Sequence, residues 1–318
     1  MNPLKFNQAS EEEVSFFKSC FKRNIGILTE EMQAKLTQST VAIAGVGGVG
    51  GHTAENLARC GIGRLIIADT EKFEPSNINR QNGSARSTIG KEKADVSRDK
   101  VLDISPLCEV VMYSNGVTLD NAYEFVKDAD VIIDAIDYNA PLEKLELYRQ
   151  ARMAGKYVLT APATGLGTLL MCFAPDGTTV EEAFDYPEDK AAILKHKIPL
   201  ERLIGCDLDY LSDLYFKVPK SASPYISTNS VSCALCGAIL ASETMKLIFA
   251  KDRETNPERY THIAEMPLIT VPYCRRIDLF NHNKDGVVNI ITGEYVNGKT
   301  MVPSYQTSKN SSLYSFLM

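Results

Sequence analysis

The sequence predicts an α/β fold, a doubly wound and mostly parallel sheet with helices on both faces and an antiparallel extension. Three observations lead there. Short apolar runs alternate with helix-patterned segments between about residues 40 and 160, a rhythm that places crossover helices between parallel strands. One of these runs ends abruptly in glycines where the hydrophobic period changes from strand to helix. A later run, GLGTLLMCFAPDG, reads as a further strand lying antiparallel to its neighbour.

Taken in order, residues 10 to 38 carry two helical patterns, EEEVSFFKSCFKR and TEEMQAKL, the second with Thr29 as N-cap and Met32 and Leu36 at i, i+4 spacing. STVAIAGVGGVG then gives a strand through Val41 and Ile43, followed by a helix from about Gly50 to Cys60. RLIIADTEKF is a strand ending in acids, and EPSNINRQNGSARSTIGKEK is too rich in Asn, Ser and Gly for a core element. The alternation continues through a helix over Ala94 to Ile104, the strand CEVVMYS, a helix over Asn121 to Val126, the strand DADVIIDAID, a helix from about Ala140 to Ala154, and the strand KYVLTAPA. Residues 176 to 225 read as a long, partly helical crossover insertion. Ser230 to Phe249 is a strong helix, apolar on most sides in its first half and therefore buried. In the tail, THIAEMPLITV, YCRRIDLF and VVNIITGEYV are short strand candidates. The chain divides into an N-terminal helical segment (1–38), a main domain (39–250) and a C-terminal extension (251–318).

Composition narrows the function. A chain of 318 residues that is 44% hydrophobic can build a large core without disulfides. Its formal charge of −6 supplies no basic field, which argues against nucleic acid or an anionic membrane as the main partner. The acid-bearing N-terminus is neither a secretory signal nor a transit peptide, and no run approaches the roughly 18 apolar residues of a spanning helix. The eight cysteines are scattered, apart from Cys233 and Cys236, and suit reduced thiols. A cytoplasmic, soluble protein is the expectation.

Gly45, Gly47 and Gly50 match G-x-G-x-x-G between a strand and a helix, with Gly48 inside the turn. The first glycine turns the chain, the second admits a phosphate close to the backbone, and the third lets helix and strand approach, so the helix N-terminus faces an anion. Asp69 ends the next strand, where a carboxylate accepts hydrogen bonds from a ribose. The turn is therefore a Rossmann-like nucleotide site. Beyond it stand Asn77, Asn79, Arg80, Gln81 and Lys93, then a second strand ending in Asp134 and Asp137. An NAD-dependent dehydrogenase has little need of that Arg and Lys. Triphosphate chemistry needs cations to offset phosphate charge and a carboxylate to hold Mg²⁺.

The stretches AGVGGVGG, ARCGIGRLIIADTEKFEPSNINRQ, IGKEKA and IIDAID resemble the E1-like activating enzymes, the ThiF, MoeB and HesA proteins, in order and spacing. The resemblance covers roughly residues 20 to 175 and returns at 228 to 250. It implies ATP-dependent adenylation of a carboxylate, with Asp69 on the ribose, Asn77, Arg80, Gln81 and Lys93 on the phosphates, and Asp137 on Mg²⁺. It also implies a homodimer in which Arg23 reaches the partner's ATP. The activated group would be the C-terminus of a ubiquitin-like or sulfur-carrier protein, or of a peptide. No general base is needed, because a carboxylate is already ionised at neutral pH.

The sequence departs from that family at three places. Many relatives hold a structural zinc between two C-x-x-C pairs, but MCFAPDGTTVEEAFDYPED has a single cysteine, and Cys233 and Cys236 fall inside the apolar helix; no zinc is expected. The crossover cysteine of many relatives aligns with Ser223, which leaves Cys206 as the one thiol in that loop and a candidate nucleophile. After Asp137 the chain reads DYNAPLEK, with Asn139 displaced by one and no Arg. Three other readings stay open: a carboxylate-activating enzyme of the same fold acting on a tRNA base, an NAD-dependent oxidoreductase, and a regulatory protein that kept the fold but lost turnover.

Overall fold

The computed structural model describes residues 5–198, 202, 228–255, 270–279, 285–292 and 294–297. Two capped helices come first. Ser10 and Glu13 form a reciprocal capping box at α1 (Glu11–Phe21), and the Thr29 hydroxyl accepts the Met32 N–H at the start of α2 (Glu30–Thr37). Such side chains satisfy N–H groups that the helix itself leaves without partners.

The strand–helix alternation then runs as β1 (Thr40–Ala44), α3 (Gly48–Cys60), β2 (Arg64–Ala68), α4 (Lys93–Ile104), β3 (Glu109–Tyr113), α5 (Ala122–Val126), β4 (Val131–Asp134), α6 (Pro141–Met153) and β5 (Tyr157–Thr160). After these come β6 (Ala163–Thr164), β7 (Gly167–Phe173), α7 (Val180–Phe184), α8 (Lys190–Ile193), α9 (Ser230–Thr255), β8 (Tyr273–Asp278), β9 (Gly286–Asn289) and β10 (Tyr295–Asn297). Along the sheet the order is β10-β9-β8-β7-β5-β4-β1-β2-β3, with β6 paired to β7. The strands β3, β2, β1, β4 and β5 run parallel, and β7 turns antiparallel to β5. The expected antiparallel extension is therefore present: β8, β9 and β10 add to β7 in antiparallel steps. VVNIITGEYV supplies two strands, β9 and β10, rather than one.

Both faces of the central strands β1, β2 and β4 are buried, as a parallel sheet between helix layers requires. Along β1, Val41 and Ile43 point into one core with Leu57 of α3 and Leu240 of α9, while Ala42 and Ala44 point into another with Phe125 of α5 and Leu145 of α6. Met32 and Leu36 of α2 are also fully buried in the first core. By length and composition Ser230–Ala250 is apolar enough to cross a membrane, which corrects the expectation that no run reaches that length. Its apolar circumference has another cause. The helix packs on α3 and against β7, so several of its sides face protein.

Candidate nucleotide site

Strand order reverses at β1, which has β2 on one side and β4 on the other. In open α/β sheets the crevice at the carboxyl ends of such strands is where ligands bind. The glycine turn follows β1 and therefore lies at this crevice. Gly45 has φ +92°, and a Cβ there would stand 2.4 Å from the Ala135 carbonyl oxygen, so only glycine lets the turn touch the loop that follows β4. A Cβ on Gly50 would stand 1.8 Å from the Gly45 carbonyl oxygen, which enforces the close strand–helix approach. The helix α3 begins at Gly48, two residues earlier than expected, and its N-cap Gly47 supplies no side-chain cap. The first-turn N–H groups thus face the crevice at the positive end of the helix.

The structure brings most of the expected residues to this turn. Asp69 Oδ2 accepts the Val46 N–H and its Oδ1 accepts the Glu71 N–H, each at 2.9 Å. Burial raises the pKa of this carboxyl, opposed by those two N–H groups and by the nearby Lys93 charge. The remaining lone pairs of a carboxylate tied this way suit ribose hydroxyls. Gln81 lies against Gly47, where a Cβ would meet its amide at 3.3 Å, and the Arg80 carbonyl is near Gly48. The Arg80 guanidinium donates to the Ser76 carbonyl and to Asn79 Oδ1 at 2.9 and 3.0 Å, while Asn79 Nδ2 donates to the Thr228 carbonyl just ahead of α9. Asn77 is buried and accepts the Glu74 N–H at 3.0 Å. Lys93 is buried beside Asp69, its ammonium donating to Glu71 at 2.5 Å.

One polar atom points to a missing partner. Gln81 Oε1 is buried, and no group among the described residues bonds it. Because an amide's oxygen and nitrogen can exchange by a flip, this position suits a ribose hydroxyl in one orientation and a phosphate oxygen in the other.

The two acids at the end of β4 stand in different surroundings, and of the two the resemblance gave a role to Asp137 alone. Asp134 is buried and fully engaged: Oδ1 accepts the Ile136 N–H at 3.1 Å, and Oδ2 accepts from the Lys144 ammonium and, at 2.9 Å, from the Tyr148 hydroxyl. Lys144 also stands 5.1 Å from the centre of the Tyr138 ring. Burial followed by the Asp134 charge pushes both Tyr138 and Tyr148 well above the usual tyrosine range. Asp137, two residues beyond the backbone that touches Gly45, is exposed and makes no side-chain hydrogen bond or ion pair among the described residues. It is the open carboxylate of the pair. Lys144 and Tyr148 stand one turn apart on α6 and so reach the same carboxylate.

Other expectations fall elsewhere. Arg23 is exposed in the short turn after α1, and its neighbour Asn24 donates to the Cys60 carbonyl at the end of α3. The thirteen residues of α3 separate that point from the glycine turn by about 18 Å, too far for an arginine side chain within one chain. Cys233 and Cys236 are buried in α9, with Cys233 Sγ 3.1 Å from where a Gly48 Cβ would be. Burial pushes their thiols up to about 11 and about 12. Among the described residues no group of three or more His, Cys, Asp or Glu side chains is placed to hold a metal. Cys206 and Ser223 lie outside the described residues.

Known proteins resemble this chain over part or most of its length. The tRNA threonylcarbamoyladenosine dehydratase of Bacillus subtilis (strain 168) is 38% identical over 120 residues, covering 37% of this chain and 46% of the relative. The adenylyltransferase and sulfurtransferase MOCS3 of Drosophila yakuba is 37% identical over 113 residues, 36% of this chain and 25% of the relative. In both cases the match spans less than half of the relative's length. The fold is that of the E. coli tRNA N6-threonylcarbamoyladenosine dehydratase TcdA, whose complex with ATP superposes with a TM-score of 0.56 at 22% identity, covering 74% of this chain and 96% of that one. The model of the ThiF family matches residues 21–285, most of the chain, and the protein is therefore a member of the ThiF family.

Proposed function

We propose that this protein is an ATP-dependent adenylyltransferase that activates a carboxylate, the C-terminus of a small carrier protein or peptide, as its acyl-adenylate. The observation that carries the reading is the meeting, at one switch point, of the glycine turn, Asp69, Arg80 and Gln81, and the loop bearing Asp137. Family membership supports it, as does the ATP complex of the TcdA relative.

In this reading Asp69 holds the ribose, and the first-turn N–H groups of α3 receive phosphate oxygens. Arg80, Lys93 and Asn77 offset and orient the phosphate charge, and Gln81 completes its orphaned hydrogen bond. Mg²⁺ would be held by Asp137 together with phosphate oxygens, and supplies charge neutralisation when bound. A substrate carboxylate oxygen then attacks the α-phosphorus; the acyl–phosphate bond forms, the bond to pyrophosphate breaks, and its electron pair leaves on pyrophosphate. The chain contributes position and electrostatic stabilisation rather than a covalent intermediate. Cys206 is left for a later transfer step.

A second reading has its own observation. The likeness to the Bacillus dehydratase favours a carboxylate on a tRNA base, although the nearly equal identity to MOCS3 and the charge of −6 weigh against choosing it. Exchange of labelled pyrophosphate into ATP separates the two. Exchange stimulated by carboxylate-ended carriers or peptides is the expected result; exchange that needs tRNA would replace it with the second reading, and NADH binding without ATP binding would reject both.

The position of Arg23 also makes a prediction. If it serves a neighbouring copy, Arg23→Ala and Asp137→Ala are each inactive, yet a mixture of the two regains about a quarter of wild-type exchange per dimer, because statistical mixing builds some intact sites. No recovery on mixing would remove Arg23 from the mechanism.

A further inference from the structure

The segment that carries Arg80 and Gln81 is fastened to α3 through Asn82 by a network the nucleotide motif does not contain. Asn82 Oδ1 accepts from Lys100 of α4 at 2.7 Å, and its Nδ2 donates to Glu55 of α3 at 2.7 Å. The same Nδ2 stands 3.1 Å from Nδ1 of His52. These partners fix the chemistry. An ammonium can only donate and a carboxylate can only accept, so the amide's orientation is set and its Nδ2 faces the histidine. His52 Nδ1 must therefore be the bare, accepting nitrogen, and the proton of the neutral ring is on Nε2. The ring also lies against the Arg80 backbone. From the other side, Asn82 packs on Gly51 and the α9 backbone at Gly237 packs on His52.

We propose that His52 is a positioning residue for the phosphate-facing segment 80–82: its neutral ring holds Asn82, and through it Arg80 and Gln81, against the glycine turn, so that protonation of His52 weakens ATP binding. A protonated ring would present an N–H to the Asn82 amide, which has only N–H to offer on that side. The bond is lost, and Asn82 cannot flip without setting its amide nitrogen against Lys100 and its oxygen against Glu55.

Among the groups around the ring, His52 is the one whose ordinary value, 6.5, lies near neutrality. Burial lowers its pKa from the usual 6.5, partly offset by the Arg80 backbone and Glu55 and reinforced by Lys100. Burial works against the Glu55 carboxylate, but hydrogen bonds from Lys100, Asn82 and Arg59 outweigh it and hold the carboxyl at about 2. Cys233, the thiol of α9 beside Arg80, sits at about 11. Neither titrates between pH 5 and 8; Lys100 and Arg80 complete the charged groups around the ring. The sign follows. A histidine depressed in the folded state stays neutral while the unfolded chain protonates, so its contribution is complete above pH 6.5 and is lost as pH falls below that value.

This inference rests on the ATP-binding reading, and the experiment keeps the two apart. Calorimetric titration of the full chain with ATP and Mg²⁺ between pH 8 and pH 5 should show affinity falling by about five- to tenfold in acid, the worth of one hydrogen bond between neutral groups. His52→Gln, whose amide oxygen accepts but does not titrate, should bind normally at pH 8 and lack that fall. His52→Leu should bind about five- to tenfold more weakly at pH 8 and show little further loss. The titration of ATP itself is common to all three proteins and cancels in their ratio. Equal pH slopes in wild type and His52→Gln overturn the proposal while leaving ATP binding standing. Absence of ATP binding at every pH overturns it together with the reading beneath it. A histidine ring spectrum of the wild type with the proton on Nδ1 at pH 8 rejects it without reference to ATP.

Discussion

Asp137→Ala is expected to lower ATP–pyrophosphate exchange by at least about 10²–10³-fold, the usual cost of removing one group that stabilises transition-state charge. The melting temperature should not move by more than about 1 °C, because surface substitutions away from packing and networks are usually near neutral. Both halves come from the same geometry: Asp137 is exposed and has no side-chain hydrogen bond or ion pair among the described residues, while its loop touches the glycine turn at Gly45. Exchange and thermal unfolding measured on the same preparation check the pair. A variant that keeps exchange within about threefold of wild type would remove this carboxylate from the chemistry. Asp134→Ala serves as the contrast, since it should harm the fold itself.

Lys144→Met should destabilise the protein by about 3–5 kcal/mol, read from the denaturant midpoint at unchanged slope. Asp134 and Lys144 have side-chain exposures of 0% and 3%, so removing the cation leaves a carboxylate in the interior with only Tyr148 and the Ile136 N–H for company. The cost is that of an uncompensated buried charge, not the net worth of the pair. Asp134→Asn combined with Lys144→Met removes both charges and still leaves an acceptor for Ile136, and it should recover most of the loss. A single variant as stable as wild type, or a double variant no better than the single, would contradict the pairing. Because Lys144 also sets the loop that carries Asp137, weakened ATP binding is expected to accompany the lost stability.

Much of the fold was legible from local pattern. The strand through Val41 and Ile43, the glycine turn and the Thr29 cap depend on period, φ and short polar side chains, all encoded within a few residues. The 74–93 stretch was legible as a loop for the same reason. The ambiguous places were those where environment overrides pattern. Ser230–Ala250 is as apolar as a membrane span because protein packs on several of its sides, and VVNIITGEYV divides into two strands because β10 runs back antiparallel to β9.

The site divides along the same line. Gly45, Gly50 and Asp69 could be named from spacing, since strand, turn and helix bring them together wherever a βαβ unit forms, while Arg80 and Gln81 took their roles from the family resemblance. The resemblance pointed to Asp137, but the engagement of Asp134 by Lys144 and Tyr148 could not be named, nor could the hold of His52 on Asn82 or the distance of Arg23 from its own glycine turn. The sequence by itself determined the phosphate turn and the residues offered to it, because backbone geometry there is local. The tertiary structure alone decided which side chains are already engaged and which remain open to a ligand, because a polar group's partner is chosen by the elements packed around it rather than by its neighbours along the chain.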